Sequence, residues 1–309
     1  MHRSPEITVD PSATDELADA LLELDAVIGL TLHRGASLKP EGDVFLVQAL
    51  NRGGDEVMRL VEKAREHGAI AVATGELTSI IDPERQERVA DDIDQALWEE
   101  TETTMRHQAQ LSGNFLALMA LGGVVAATGF ASKPVPQAIA FIAASVIAPG
   151  FEPVAKLPLG LVLRRPDLLR RGLRSMVLGY VALVVAAALA YAFLRLTEVA
   201  YPTPNLLALA EVGRISHPSW LDLLKSAAAA AAGLVMLAAH RDSVIAGPLI
   251  ALVIIPAAAL IGVAAAAGRP RLMLEGAERL AIDVVIIVLV GAVVLALKQA
   301  LRHKRRPLI

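Results

Sequence analysis

Cysteine is absent from the chain, which excludes disulfides, thiolate catalysis and thiolate-held metals. The opening residues, MHRSPEITVDPSATDE, contain no apolar run of the kind a signal peptide needs, so this region is expected to stay in the cytosol. The seven histidines are scattered, with no H-E-x-x-H or similar metal spacing. No Walker loop, nucleophile elbow or dinucleotide fingerprint occurs either. With no catalytic constellation, the expectation is a protein that is not an enzyme and needs no cofactor, metal or nucleic acid.

What the chain does have is apolar surface, unevenly placed. Of 309 residues 55% are hydrophobic, and mean hydropathy is +0.53. Residues 1–112 hold 23 acidic and 10 basic side chains, whereas 113–309 hold 9 acidic and 19 basic. Such asymmetry implies two environments. Apolar runs of 18 or more residues after 112 read as membrane spans.

In the N-terminal region, Glu6–Asp10, Val27–His33, Asp43–Leu50 and Ala69–Thr78 alternate like strands. Leu17, Ala20, Leu21 and Leu24 mark one helix, capped by Ser12 or Thr14. Val57, Leu60, Val61 and Ala64 mark a second, closed by a His67–Gly68 cap. The order β-α-β-β-α-β predicts an α+β ferredoxin-like domain over 1–81. That fold hosts docking, sensing and metal-carrying modules alike. Residues 82–112 predict a polar linker helix with a thin apolar stripe (Val89, Ile93, Leu97, Met105). Its acidic residues, Asp91, Asp92, Asp94, Glu99, Glu100 and Glu102, fit a solvated face better than a cation site.

Residues 113–303 predict a membrane all-α bundle of six spans, near 113–131, 135–163, 173–196, 219–239, 243–267 and 279–300. Arg164, Arg165, Arg170, Arg171 and Arg174 follow the second span; Lys298, Arg302, Lys304, Arg305 and Arg306 end the chain in a basic tail (304–309). The positive-inside rule places both in the cytoplasm, with loop 199–218 outside. Tyr201 and Trp220 fall at expected interfaces, and Asn205 and His217 in that outer loop. The partners expected are the lipid bilayer of a bacterial inner membrane, an unidentified small solute or ion, and further copies of the chain.

The stretch 135–163 would reach about 43 Å as one helix, against a hydrocarbon core about 30 Å thick. It carries Pro149, Gly150, Pro153, Pro158 and Gly160, so a break is expected. The fifth span carries Gly247, Pro248, Pro256 and Gly262. The stretch RRPDLLRRG (Arg164–Gly172) matches GRPRLMLEG (Gly268–Gly276), each with Gly six residues after Pro. Pro153 lies 13 residues before Pro166, and Pro256 lies 14 before Pro270. Residues 113–198 and 219–303 therefore form a repeat. Three spans per copy make it an inverted 3+3 repeat with a broken middle helix in each, a design shared with many secondary transporters.

Within Ser145–Gly160 (SVIAPGFEPVAKLPLG), Glu152 and Lys156 stand one helical turn apart at membrane depth. Intramembrane charges are costly and mark functional candidates. Glu152 could carry a coupling proton or cation; Lys156 could neutralise it or attract an anion; the pair could also clamp the break. Ser145, Asn114 and Asp283 are further candidates, Asp283 having Arg279 one turn before it.

Ile142–Leu163 (IAASVIAPGFEPVAKLPLGLVL) resembles the hallmark of the membrane protein family called domain of unknown function 389, whose pattern is close to IGAMLIAPLMGPI followed by LGL. Ala148, Pro149 and Pro153 match it, and Ala251–Gly262 (ALVIIPAAALIG) resembles that family's later LVPPL-type helix. The resemblance implies the architecture and a ferredoxin-like start, and no activity. Glu152, Lys156 and the single Pro256 depart from the family pattern. The residues lead to a transporter or channel-like protein; the other class consistent with them is a membrane-anchored sensor with a ligand-binding N-terminal domain.

Overall fold

The structure is a computed structural model, and it describes residues 2–77, 79–92, 97–107, 110–197, 210–239 and 246–301, without the side chains of 76, 88, 90, 210, 211 and 246–250. The chain divides into two compact units, built mainly of residues 1–101 and 102–298. Tyr201, Asn205, His240–Asp242, Asp94, Ile93 and the basic tail lie outside the described residues.

In the first unit, β1 (His2–Val9), β2 (Val27–Leu38), β3 (Glu41–Ala49) and β4 (Ile70–Leu77) form one antiparallel sheet in the order β2-β3-β1-β4. Ile7 faces Phe45 on one side and Val72 on the other. Helices α1 (Thr14–Leu22) and α2 (Gly54–Ala64) cross between strands that are not neighbours, which is the expected split βαβ order. The alternating strand residues Ile7, Val9, Phe45 and Val47 are buried with Leu17, Leu21, Val57 and Val61 from the two helices. One sheet face thus meets one stripe from each helix.

Both predicted helix ends differ. Neither Ser12 nor Thr14 caps α1. Asp10 accepts from the Ser12 amide at 2.9 Å, opening a short 3-10 turn (Pro11–Ala13) that leads into the helix. Thr14 instead donates to Asp43 at 2.7 Å. Gly68 is extended, with φ 164°, and not left-handed. Its lack of a side chain answers a different need: a Cβ there would lie 2.6 Å from the Cβ of Asp10.

The segment predicted as one linker helix is two short ones, α3 (Gln86–Ala90) and α4 (Trp98–His107). Its acidic run is not simply a solvated face. Asp92 accepts from the amides of Asn51 (2.7 Å) and Arg52 (3.2 Å) and meets His2 at 3.1 Å. The turn before α2 has no side-chain cap of its own, so Asp92 satisfies donors that would otherwise be orphaned. Glu100 pairs with buried Arg3 at 2.6 Å, and Glu99 and Glu102 are buried.

The second unit is helical: α5 (Gly113–Phe130), α6 (Pro134–Ile147), α7 (Phe151–Val162), α8 (Pro166–Leu196), α9 (Ala210–Ser216), α10 (Trp220–Ala238), α11 (Ala246–Ala266) and α12 (Pro270–Leu301). Four of these, α5, α8, α10 and α12, are long and apolar enough to cross a membrane. The α6–α7 pair passes the same test together, bent by 53° at its break, and Ala251–Ala266 of α11 adds a shorter apolar helix. The unit is therefore a membrane-type bundle of four to five such helices among the described residues, where the sequence predicts six spans.

Close helix approach sets the packing. At Gly123 of α5 a Cβ would lie 2.3 Å from the Leu183 carbonyl oxygen, and at Gly262 of α11 2.2 Å from that of Val184. Both neighbours of α8 thus touch its backbone at adjacent residues, as small residues permit in membrane bundles. Gly262→Leu should cost about 3 kcal/mol or more, because the obstacle is main chain that cannot rotate away; thermal unfolding in detergent should show a clear drop, and an unchanged midpoint would mean the helices do not pack this way.

In the first unit, the carboxylate of Asp43 is held below the usual range by hydrogen bonds from the Thr14 hydroxyl and the Gly35 amide (2.6 Å), with Arg34 nearby. A lowered folded value means the contribution is full above the unfolded value near pH 4 and is lost as pH falls through the folded one. Asp43→Asn should cost about 2 kcal/mol at neutral pH and little at low pH, read by hydrogen exchange of the β1–β3 amides; equal loss at both pH values would contradict this.

Candidate functional site

The break in the second unit follows from Pro149. A residue before proline is driven out of the α region, and Ala148 is accordingly extended, with ψ 120°. The Gly150 amide folds back to the Ala148 carbonyl at 2.8 Å, and α7 begins at Phe151. The Tyr180 hydroxyl of α8 donates to the Gly150 carbonyl at 3.0 Å. A Cβ at Gly150 would lie 2.7 Å from Cδ1 of Ile255 on α11. The break is thus enclosed by α8 and α11.

The other predicted breaks do not interrupt helices. Pro153 falls in the first turn of α7, where a missing amide costs no hydrogen bond. Pro158 and Pro256 sit inside α7 and α11, which continue through them, and Pro248 lies in the first turn of α11. Membrane helices tolerate such prolines when neighbours cover the freed carbonyl. At Pro158, Gly291 of α12 comes close enough that a Cβ there would lie 2.9 Å from the ring. Among the described residues only the first half has a broken middle helix.

Glu152 is in the first turn of α7, the end of a helix that favours negative charge. Its Oε2 is buried and has no hydrogen-bond partner. Lys156, one turn on, is 1% exposed and packs against Gly172 of α8. Ser145 is buried two residues before the end of α6, but its hydroxyl donates within the helix to Phe141 at 2.8 Å. Asn114 is exposed in the first turn of α5 and does not join the break.

Asp283 is fully buried in a cluster that spans α10 and α12. Its Oδ2 accepts from Arg279 Nε at 2.8 Å, its Oδ1 from the Ser226 hydroxyl at 2.9 Å, and Arg279 Nη2 donates to Ser226 at 3.2 Å. Arg279 Nη1 is buried without a partner. The i,i−4 pair is visible in the sequence; Ser226, at the head of an alanine run, carries no signal that it faces Asp283. Tyr180 is the other residue missed. Its hydroxyl reaches the break from α8, thirty residues on from the carbonyl it binds.

Two turns of the unit are alike position for position. Arg164 and Gly268 are both left-handed, at φ 55° and 68°. The Arg165 amide bonds the Gly160 carbonyl at 2.8 Å, and the Arg269 amide bonds Ala264 at 2.9 Å. These are the 6→1 bonds of helix ends closed by a left-handed residue. Proline then starts the next helix in each case. Gly172 packs on the Pro153 carbonyl and Leu157, and Gly276 on the Ala257 carbonyl and Ile261. Ser112 and Ser219 cap α5 and α10, accepting from Phe115 (3.1 Å) and Asp222 (3.3 Å). Counted from these shared points, Asp283 corresponds to Gly179, Ser226 to Met119 and Arg279 to Ser175, so the buried ion pair has no charged counterpart there.

Among the described residues no three His, Asp or Glu side chains converge on a metal position. Asp283→Leu should destabilise the protein by about 3–5 kcal/mol, because it leaves the Arg279 charge buried without its counterion. Arg279→Met with Asp283→Leu should recover most of that, since removing both partners leaves no uncompensated buried charge. Denaturation in detergent micelles measures both, and a double variant as unstable as the single one would show that the pair is not the source.

Residues 145–289 match the family model described as Domain of unknown function (DUF389), the family the proline motif resembles. The match runs from the end of α6 into α12 and so takes in the break and the buried triad. No curated protein and no solved structure matches the chain.

Proposed function

From a chain whose residues 145–289 match the DUF389 family model, we propose that the membrane unit moves a small solute or ion across a bilayer, with its binding position at the α6–α7 break. The observation that carries this reading is the break itself. A helix bent by 53° at a break inside an apolar bundle brings one helix end and one helix start together, with the unpartnered Oε2 of Glu152 in the first turn after the break. Irregular backbone at membrane depth persists only where protein or a water-filled cavity covers it, and half-helix ends are how transporters hold ions and charged solutes.

The spans are then six, arranged as two three-span copies of opposite topology. The matching turns support the copies, and charge supports the inversion. Arg170, Arg171 and Arg174 begin α8, whereas Leu274, Glu275 and Glu278 hold the same places on α12. Under the positive-inside rule the start of α8 is cytoplasmic and the start of α12 external, which puts both chain termini in the cytoplasm of a bacterial inner membrane. Glu152 takes the coupling proton or cation, Lys156 balances its charge, and Tyr180 tethers the break. No covalent step is involved.

The test is flux in proteoliposomes, with protons, Na⁺, K⁺ and chloride as probes under imposed gradients. Glu152→Gln and Lys156→Met should each reduce transport of the conducted probe at least tenfold while the protein keeps its unfolding profile. Undiminished flux in the double variant would remove the pair from the mechanism. Wild-type protein that passes none of the probes in either orientation would overturn ion transport, leaving the ligand-sensing class to be tested by binding to the full chain.

A further inference from the structure

The basic start of α8 is not consumed by the fold. Arg170, Arg171 and Arg174 are exposed, and none of the three makes a hydrogen bond or ion pair among the described residues. Their nearest acid along the helix, Asp167, is taken by Arg106, 3.1 Å away. Arg106 in turn shares buried Glu102 with Arg165, at 2.6 and 3.5 Å. The carboxylates at this end are therefore committed to other arginines.

Two of the free guanidinium groups, those of Arg170 and Arg174, also lie on a particular face, and Arg171 adjoins it. Positions 170, 173, 174, 177, 181 and 185 follow helical i, i+3, i+4, i+7 spacing. Leu173, Val177, Val181 and Val185 are exposed, roughly half of each side chain open, along a helix apolar enough to cross the membrane. That exposed stripe is the surface hydrocarbon tails must cover. Arg170 and Arg174 stand at the end of that stripe, with Arg171 next to Arg170, at the level where phosphate groups lie.

The geometry points to a binding site for the phosphate headgroups of anionic phospholipids, formed by Arg170, Arg171 and Arg174 at the start of α8. Guanidinium forks match phosphate oxygens bidentately, and acyl chains of the same lipids would lie along Leu173, Val177 and Val181. A protein partner would need a surface both anionic and apolar at membrane depth, which a lipid already is. The other copy of the repeat has no such site, because Glu275 and Glu278 occupy the places of Arg171 and Arg174, and Arg271 is paired to Glu275 at 3.2 Å. This inference requires only that α8 spans the bilayer, and does not depend on what crosses the membrane.

The experiment is lipid selectivity of the full-length protein reconstituted in phosphatidylcholine vesicles. Spin-labelled phosphatidylglycerol and phosphatidylcholine report the motionally restricted fraction at the protein surface. Wild type should prefer phosphatidylglycerol, and added salt should weaken the preference. Each arginine replaced by Gln should lower it about fivefold in relative affinity, and Arg170→Gln/Arg171→Gln/Arg174→Gln should abolish it. Arg170→Lys/Arg171→Lys/Arg174→Lys should retain part of it, and Arg271→Gln should leave it unchanged. Should the triple Gln variant not fold, the salt dependence of the wild type and the single variants decide. Equal restriction of the two lipids by the wild type, a salt-independent preference, or single and triple variants that bind phosphatidylglycerol like wild type would each overturn the site. Displacement of phosphatidylglycerol by millimolar inorganic phosphate would assign the arginines to a free anion and overturn the lipid.

Discussion

An apolar bilayer offers no hydrogen bonds, so a helix that stops at membrane depth must have its exposed peptide groups covered by the protein itself. The chain stops one at Ala148–Gly150, and much of the second unit answers that need. Tyr180 supplies a hydroxyl to the Gly150 carbonyl, the Gly150 amide turns back on Ala148, and Ile255 closes over the position where a side chain would have been. These groups reach the break because α5 and α11 lie against the backbone of α8 at Gly123 and Gly262. Wider helix spacing would leave Tyr180 short of its carbonyl.

One kind of turn occurs twice in this unit. In each case a helix ends on a left-handed residue, the next restarts on proline, and that helix packs through a glycine. Arg164 bears a strain in that turn that Gly268 avoids, since a Cβ disfavours positive φ. Glu152 and Lys156 belong to α7, while Ser226 belongs to α10 and Arg279 and Asp283 to α12. Buried charge carries a desolvation cost in both places.

The N-terminal unit shows how local signals succeed and fail. Alternation found all four strands and the two stripes found both helices, because one sheet face and one face of each helix share a core. The helix caps are not legible in the same way, because the Thr14 hydroxyl goes to Asp43, a residue on β3, and Asp10 takes the Ser12 amide. The acidic run after Asp82 looked uniformly solvated, yet Asp92 and Glu100 bond groups far away in sequence, the amides at Asn51 and Arg52 and the guanidinium of Arg3. Composition cannot distinguish a carboxylate that faces water from one that caps a distant turn.

In the membrane unit, the apolar helices, the break at Pro149, the likeness of the two Arg-Pro turns and the one-turn spacing of Glu152 and Lys156 can all be read from the residues alone. Each is local: hydropathy over a window, the steric demand of proline on its predecessor, or the pitch of a helix. Packing between helices settles that Pro256 leaves its helix whole, that Ser226 and not another serine meets Asp283, and that Tyr180 holds the Gly150 carbonyl. Those outcomes depend on which helix faces which, and that is set by close contacts at glycine that no single segment of the chain contains.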